Sequence, residues 1–103
     1  MTWFDKEWTR AMGYITKHFK VEDFDCKDGT PYPPDKIDTH LKILCEALEV
    51  IRERVNGAIQ ISSGYRTPEY NKVVGGSKKS KHMLGIAADI KVKGVTGRRL
   101  ALI

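Results

Sequence analysis

Residues able to do chemistry gather in one stretch of this chain. From Ser62 to Asp89 it reads SSGYRTPEYNKVVGGSKKSKHMLGIAAD, with Arg66 on a Ser-Gly turn, a glycine pair at Gly75–Gly76, and His82 and Asp89 seven residues apart. Zinc accepts both His82 and Asp89 as ligands, and such a pair leaves coordination positions for another ligand and water. Their spacing decides whether they can meet. On a regular strand an odd separation turns them to opposite faces. On a helix they share a face but stand about 10 Å apart. They converge only where the backbone breaks between them, and Gly85 is placed to allow that break. Without it they are a surface histidine and a turn aspartate.

Arg66 lies in SGYRTP, after a strand-like run and before a proline that can start a helix. An arginine fixed on such a turn can clamp a carboxylate or polarise a carbonyl oxygen. The plainer alternative is an exposed arginine, or one paired with Glu69. Asn71 and Ser80 can offer hydrogen bonds to substrate amides, or serve only as loop and helix-end residues. Gly75–Gly76 with Lys78, Lys79 and Lys81 lacks the GxxxxGK[ST] spacing, and no long helix follows, which argues against a nucleotide site. No DNA- or RNA-binding motif accompanies these lysines, and three lysines suit a solvated loop.

The elements that must position these residues are legible in outline. Ile37, Leu41, Leu44, Leu48, Ile51 and Val55 recur by alternating fours and threes, which predicts a scaffold helix over Asp35–Val55. Pro34 and Asp35 suit its start, and Asn56–Gly57 supplies a left-handed stop. Ala58–Ser62 alternates and reads as a strand, Ser63–Thr67 as a turn, and Pro68 opens a short helix through about Val74. Gly75–Lys81 is a basic loop. Residues 86–92 read as a second strand, able to pair antiparallel with 58–62. Thr96 is read as the N-cap of a closing helix that includes Leu100 and Ile103. Upstream, residues 14–26 suggest an extended piece and one helical turn, followed by an irregular loop at Asp28–Gly29 and Pro31–Pro34. Residues 1–13, with Trp3, Phe4 and Trp8 among charges, form an N-terminal arm or docking helix.

Composition sets the outer limits. A chain of 103 residues is one small domain, and 41% hydrophobic content is enough for a core and argues against disorder. A formal charge of +5 suggests an anionic partner such as nucleic acid, anionic lipid or an acidic cell-wall polymer. No run of 18 apolar residues offers a membrane span. The first twenty residues lack an apolar signal-peptide centre, which leads us to expect cytoplasmic synthesis, or an export signal already removed. Cys26 and Cys45 are too few for a disulfide framework and too far apart for a metal knuckle; free thiols are the default, with one bridge left open.

The run SGYRTPEYNKVVGG followed by SKHMLGIAADI resembles the zinc D-alanyl-D-alanine carboxypeptidases and the related L-alanyl-D-glutamate peptidases of phage endolysins. The matching features are their SGYR turn and their SxHxxGxAxD metal motif, here Ser80–Asp89. HFKVEDFDC and the helix leading to RERVNGAIQI extend the similarity over about residues 14–103. The resemblance implies an α+β fold of the hedgehog/DD-peptidase type, with helices packed on a small antiparallel sheet. It implies zinc held by His82 and Asp89, Arg66 stabilising the substrate carbonyl as negative charge develops, and Ser80 and Asn71 near the peptide.

In that family a later strand brings a second histidine ligand, and an acidic residue near it acts as general base. No HxH-, HxD- or ExxH-type segment follows Asp89 here. His18 and His40 are the remaining histidines that could complete the site. The expectation is therefore a zinc peptidase acting on peptidoglycan stem peptides, over a domain at 14–103 whose C-terminal part is missing and which is inactive or weakly active alone. Release from the cytoplasm to the cell wall, as in phage lysis, fits the absence of a signal peptide. Two other classes compete: a non-catalytic cell-wall binding module that retains the fold, and a basic nucleic-acid binder, whose affinity would fall steeply with salt.

Overall fold

The computed structural model describes residues 13–92 and 95–101, the last seven as backbone only. Residues 1–12, where the arm or docking helix is expected, lie outside them.

Two short antiparallel strands, β1 (Tyr14–Thr16) and β2 (Phe19–Lys20), open the fold and run into a 3₁₀ turn, Val21–Phe24. The Lys20 amide donates to the Asp23 carboxylate at 2.8 Å, which fixes the start of that turn. The expected extended piece is thus a small hairpin plus a turn.

The scaffold helix forms where its apolar stripe predicts, but it does not begin as an α-helix. Pro34–Lys36 is a 3₁₀ turn and Ile37–Leu41 a π-helical turn; only Lys42–Val55 (α1) is regular. The wider turn takes up one extra residue, leaving Ile37 packed on the core and Leu41 fully buried within it. Asn56 then ends α1 in the left-handed conformation at φ 51°, and its amide and that of Gly57 bond back to the last carbonyls.

β3 (Ile59–Ser63), β4 (Ala87–Val92) and β5 (Val95–Ala101) form an antiparallel sheet in the order β3-β4-β5. Ile61 stands opposite Ile90 and Ser63 opposite Asp89, with an irregularity between these pairs. The helix expected from Thr96 is instead β5. Its backbone pairs along β4, with Leu100 opposite Ala88 and Arg99 opposite Asp89. Two turns of apolar spacing are a weak helix signal, whereas Val95 and Thr96 are β-branched and β4 offers a full edge of backbone partners. Between β3 and β4 lie a six-residue helix α2 (Pro68–Val73), capped by Thr67, and a 3₁₀ turn, Lys81–Leu84, capped by Ser80.

The fold is therefore α+β. Leu41, Leu44, Cys45 and Leu48 from the helix meet Ala88 and Ile90 of β4, with Phe19, Phe24 and Tyr32 closing the core. Both cysteines are buried thiols, unbridged, and burial pushes that of Cys45 strongly upward in pKa. No helix of the described residues is long and apolar enough to cross a membrane.

Candidate functional site

The backbone break predicted at Gly85 exists. Gly85 ends the Lys81–Leu84 turn at φ 75°, and β4 starts two residues later. His82 therefore leaves a 3₁₀ turn while Asp89 leaves a strand, and the two side chains converge, with His82 Nε2 lying 3.4 Å from Asp89 Oδ1.

His82 is fully buried, and its ring orientation is set from behind. Nδ1 lies 2.6 Å from the carbonyl oxygen of Gly64. A carbonyl can only accept, so Nδ1 carries the proton and donates it there. This leaves Nε2 as the ring atom facing Asp89. Metal-ligating histidines commonly donate one ring nitrogen to a backbone carbonyl in this way, and His82 presents its other nitrogen to Asp89.

Arg66 reaches the same carboxylate from the other side. Its Nη2 is 3.4 Å from Asp89 Oδ2, and Nη1 donates to Asn71 Oδ1 at 3.3 Å. Asp89 thus stands between the histidine and the arginine, one oxygen toward each. The arginine turn exists because Thr67 caps α2. Its hydroxyl accepts from the Tyr70 amide at 3.1 Å, and Pro68 occupies the first helical position, where a missing N–H costs nothing.

Asn71 and Ser80 are each only 4% exposed, and both have work inside the protein. Besides holding Arg66, Asn71 donates through Nδ2 to the Ser77 carbonyl at 2.9 Å, closing the basic loop on itself. The Ser80 hydroxyl accepts from the His82 amide at 3.2 Å. Gly76 packs against the Asn71 carboxamide so closely that a Cβ there would displace it. Lys78 and Lys79 are exposed, as a solvated loop requires.

Among the described residues, no group of three or more His, Cys, Asp or Glu side chains is gathered as a metal site. His18 and His40 therefore do not join His82 and Asp89. His18 is held at α1 instead, where its Nδ1 lies 2.6 Å from Glu49 Oε1 and its amide donates to Glu49 Oε2 at 2.8 Å. It borders a polar groove shared with Lys17, Arg52 and Glu53, which includes none of Arg66, His82 or Asp89. His40 is exposed on the π turn.

Sequence reading missed three residues that support this arrangement: Gly64, Asp28 and Tyr32. Gly64 passes so close to Phe24 that a Cβ would come 2.6 Å from its Cα. Asp28 accepts from the Thr67 hydroxyl at 3.0 Å, and the Tyr32 hydroxyl donates to the Gly85 carbonyl at 2.7 Å. The Asp-Gly turn signal at 28–29 was available, but nothing local says what it touches.

A family model described as Peptidase M15 matches residues 17–103. Comparison with curated proteins and with solved structures gives no match.

Proposed function

The chain belongs to the peptidase M15 family, and from that premise we propose that it is a zinc-dependent peptidase of the hedgehog/DD-peptidase type. The proposed substrates are peptidoglycan stem peptides, cut at amide bonds involving D-amino acids. One observation carries this reading: Asp89 stands 3.4 Å from both His82 Nε2 and Arg66 Nη2, so the two motifs form one site.

The donor set suits zinc. An imidazole whose Nδ1 is engaged by a backbone carbonyl and a carboxylate are borderline and hard ligands of the kind zinc takes together, and His82 and Asp89 would hold it. Zinc bound there supplies Lewis acidity for amide hydrolysis. Arg66 is the cationic group beside that position; its guanidinium, steadied by Asn71, binds and orients the scissile carbonyl and stabilises the charge that builds on its oxygen. In this reading Asn71 and Ser80 act on the peptide indirectly, Asn71 through Arg66 and Ser80 by shaping the turn that carries His82. The setting that fits is cell-wall degradation of the kind phage endolysins carry out.

One observation favours a second reading, a cell-wall binding module that retains the site without turnover: among the described residues no third His, Cys, Asp or Glu side chain is gathered with His82 and Asp89 as a metal site. A single experiment separates the two. The full chain is loaded with zinc, its metal content is measured, and purified stem peptides are offered to wild type, His82→Ala, Asp89→Ala and Arg66→Ala. The peptidase reading expects zinc lost in the first two variants and cleavage lost in all three. Retention of wall peptides without cleavage, in wild type, would establish the binding module instead.

A further inference from the structure

The two halves of the site, the Arg66 turn and the His82 turn, are both gripped by a loop that neither motif includes. Residues 24–32 run past Gly64, and the Tyr65 amide donates to the Phe24 carbonyl at 2.8 Å. Farther along, Asp28 divides its carboxylate. Oδ1 accepts from the Thr30 amide at 2.9 Å within the loop, while Oδ2 accepts from the Thr67 hydroxyl at 3.0 Å, directly beside Arg66. At the loop's end the buried Tyr32 ring packs edge-on against Tyr65, and its hydroxyl donates to the carbonyl of Gly85, the residue at which the chain breaks between His82 and Asp89. Lys36 adds a bond to the neighbouring Leu84 carbonyl at 3.2 Å.

We propose that Asp28 and Tyr32 are positioning residues for the site: Asp28, through Thr67, fixes the turn that carries Arg66, and Tyr32, through Gly85, fixes the turn that carries His82. One loop thereby braces both turns, adding to the direct bonds between them. This rests on the peptidase reading only for its catalytic consequence; the mechanical claim stands on the contacts.

The loop is stiff enough for the task. Cys26 and Thr30 close it with a backbone bond at 2.9 Å, the Gly29 amide donates to the Cys26 carbonyl at 3.0 Å, and the Tyr32 amide donates to Asp25 at 2.8 Å. Gly29 turns at φ 98°, a conformation that glycine adopts without penalty. The Thr30 amide and hydroxyl, with Cys26 and Thr67 adding to them, hold the Asp28 carboxyl at about 2, below its ordinary value. Their hydrogen bonds toward the site go to Thr67 and Gly85 rather than to Arg66, His82 or Asp89. Their effect on chemistry passes through Thr67 and Gly85, and a small misplacement at that remove can cost a large factor in rate.

The test uses the full chain with Asp28→Ala, Tyr32→Phe, Thr67→Ser and Thr67→Val. Amide hydrogen exchange is followed at Tyr70 and Asn71 for the arginine turn and at Gly85 and Ile86 for the histidine turn. The amides of Leu44–Leu48 serve as reporters of global opening. Asp28→Ala is expected to speed exchange at Tyr70 and Asn71 by about tenfold or more while Leu44–Leu48 are unchanged, and Tyr32→Phe to do the same at Gly85 and Ile86. On stem peptides Asp28→Ala is expected to lower kcat by about tenfold or more with KM changed less than about twofold and zinc content intact. Thr67→Ser, which keeps the hydroxyl, retains wild-type behaviour, and Thr67→Val reproduces the Asp28→Ala loss. Unchanged exchange at the two turns overturns the proposal, as does acceleration that is equal in α1. If the wild-type chain leaves stem peptides uncut, the peptidase reading fails and the exchange measurements alone decide whether Asp28 and Tyr32 hold the turns.

Discussion

The backbone amide of Arg66 donates to the carbonyl of His82 at 3.1 Å. The His82 ring returns the contact two residues away, through Nδ1 to the Gly64 carbonyl. The arginine turn and the histidine turn are therefore joined at two points, once between main-chain atoms and once from the His82 ring to a main-chain carbonyl, and side-chain substitution at Arg66 leaves both in place. Positions where a new atom would force the main chain apart should do more harm than loss of the arginine itself.

Gly64 is the clearest such position. Its Cβ would meet Phe24 Cα at 2.6 Å and the Phe24 carbonyl at 2.8 Å, both backbone atoms that cannot swing aside. Gly64→Ala is expected to destabilise the fold by about 1–3 kcal/mol, the range of overpacking in a filled interior. Urea unfolding of the two proteins checks it; equal midpoints would mean that the strand and the 24–32 loop are not in contact.

Gly76→Ala should act differently. The atoms in its way are the ends of side chains, the Asn71 carboxamide and Arg66 Nη1, the latter at 3.0 Å. Arg66 can swing away, but the buried Asn71 carboxamide moves only by giving up its bond to the Ser77 carbonyl, and Arg66 then loses the partner that steadies it. Thermal unfolding is expected to shift by no more than a few degrees, while turnover of stem peptides falls about 10- to 100-fold, the effect of misplacing a reacting group. A loss confined to stability would contradict the assignment.

How far the sequence reaches is clear from particular residues. Leu44 and Leu48 declared their burial by spacing alone, because a helix repeats its faces, whereas Val55, at the end of the same stripe, is exposed. The meeting of His82 with Asp89 was conditional on Gly85, and that condition could be stated but not resolved without the backbone. Asp28 and Tyr32 gave no sign of their contacts, because Thr67 and Gly85 lie far along the chain and no local pattern encodes such pairing. Thr96 misled for the opposite reason: its cap chemistry is local, and pairing with β4 overrode it.

The His18–Glu49 pair gives a pH prediction. Burial pushes the Glu49 carboxyl up, but bonds from the His18 ring and amide outweigh it and hold the carboxyl below its ordinary value. A carboxyl depressed in the folded state stabilises the fold above its unfolded pKa and loses that contribution as pH falls through the folded one. Glu49→Gln is therefore expected to cost about 1.5–3 kcal/mol at neutral pH, the worth of a hydrogen bond to a charged group. The gap between variant and wild type should close in acid, below the ordinary carboxylate range of about 4. Denaturant titrations at pH 7 and in acid measure it, and a gap that widens in acid would reverse the sign argued here.

Arg66 allows a sharper test, because its two influences on the site have opposite signs. Its guanidinium lies 3.4 Å from Asp89 Oδ2, so it occupies one oxygen of a proposed zinc ligand and sets a positive charge beside the position a cation would take. Like charges at such distances repel by a few kcal/mol at most once the surrounding dielectric is counted. Arg66→Gln removes that repulsion and frees the carboxylate oxygen, so zinc should bind more tightly, by roughly three- to tenfold. The same change removes the group that would stabilise charge on the scissile carbonyl, and turnover should fall by about 10²–10³. Competition with a chromophoric chelator reads the first quantity and peptide cleavage the second. If both fall together, Arg66 holds Asp89 in place and its role is structural; if affinity rises while turnover collapses, the arginine acts on the substrate.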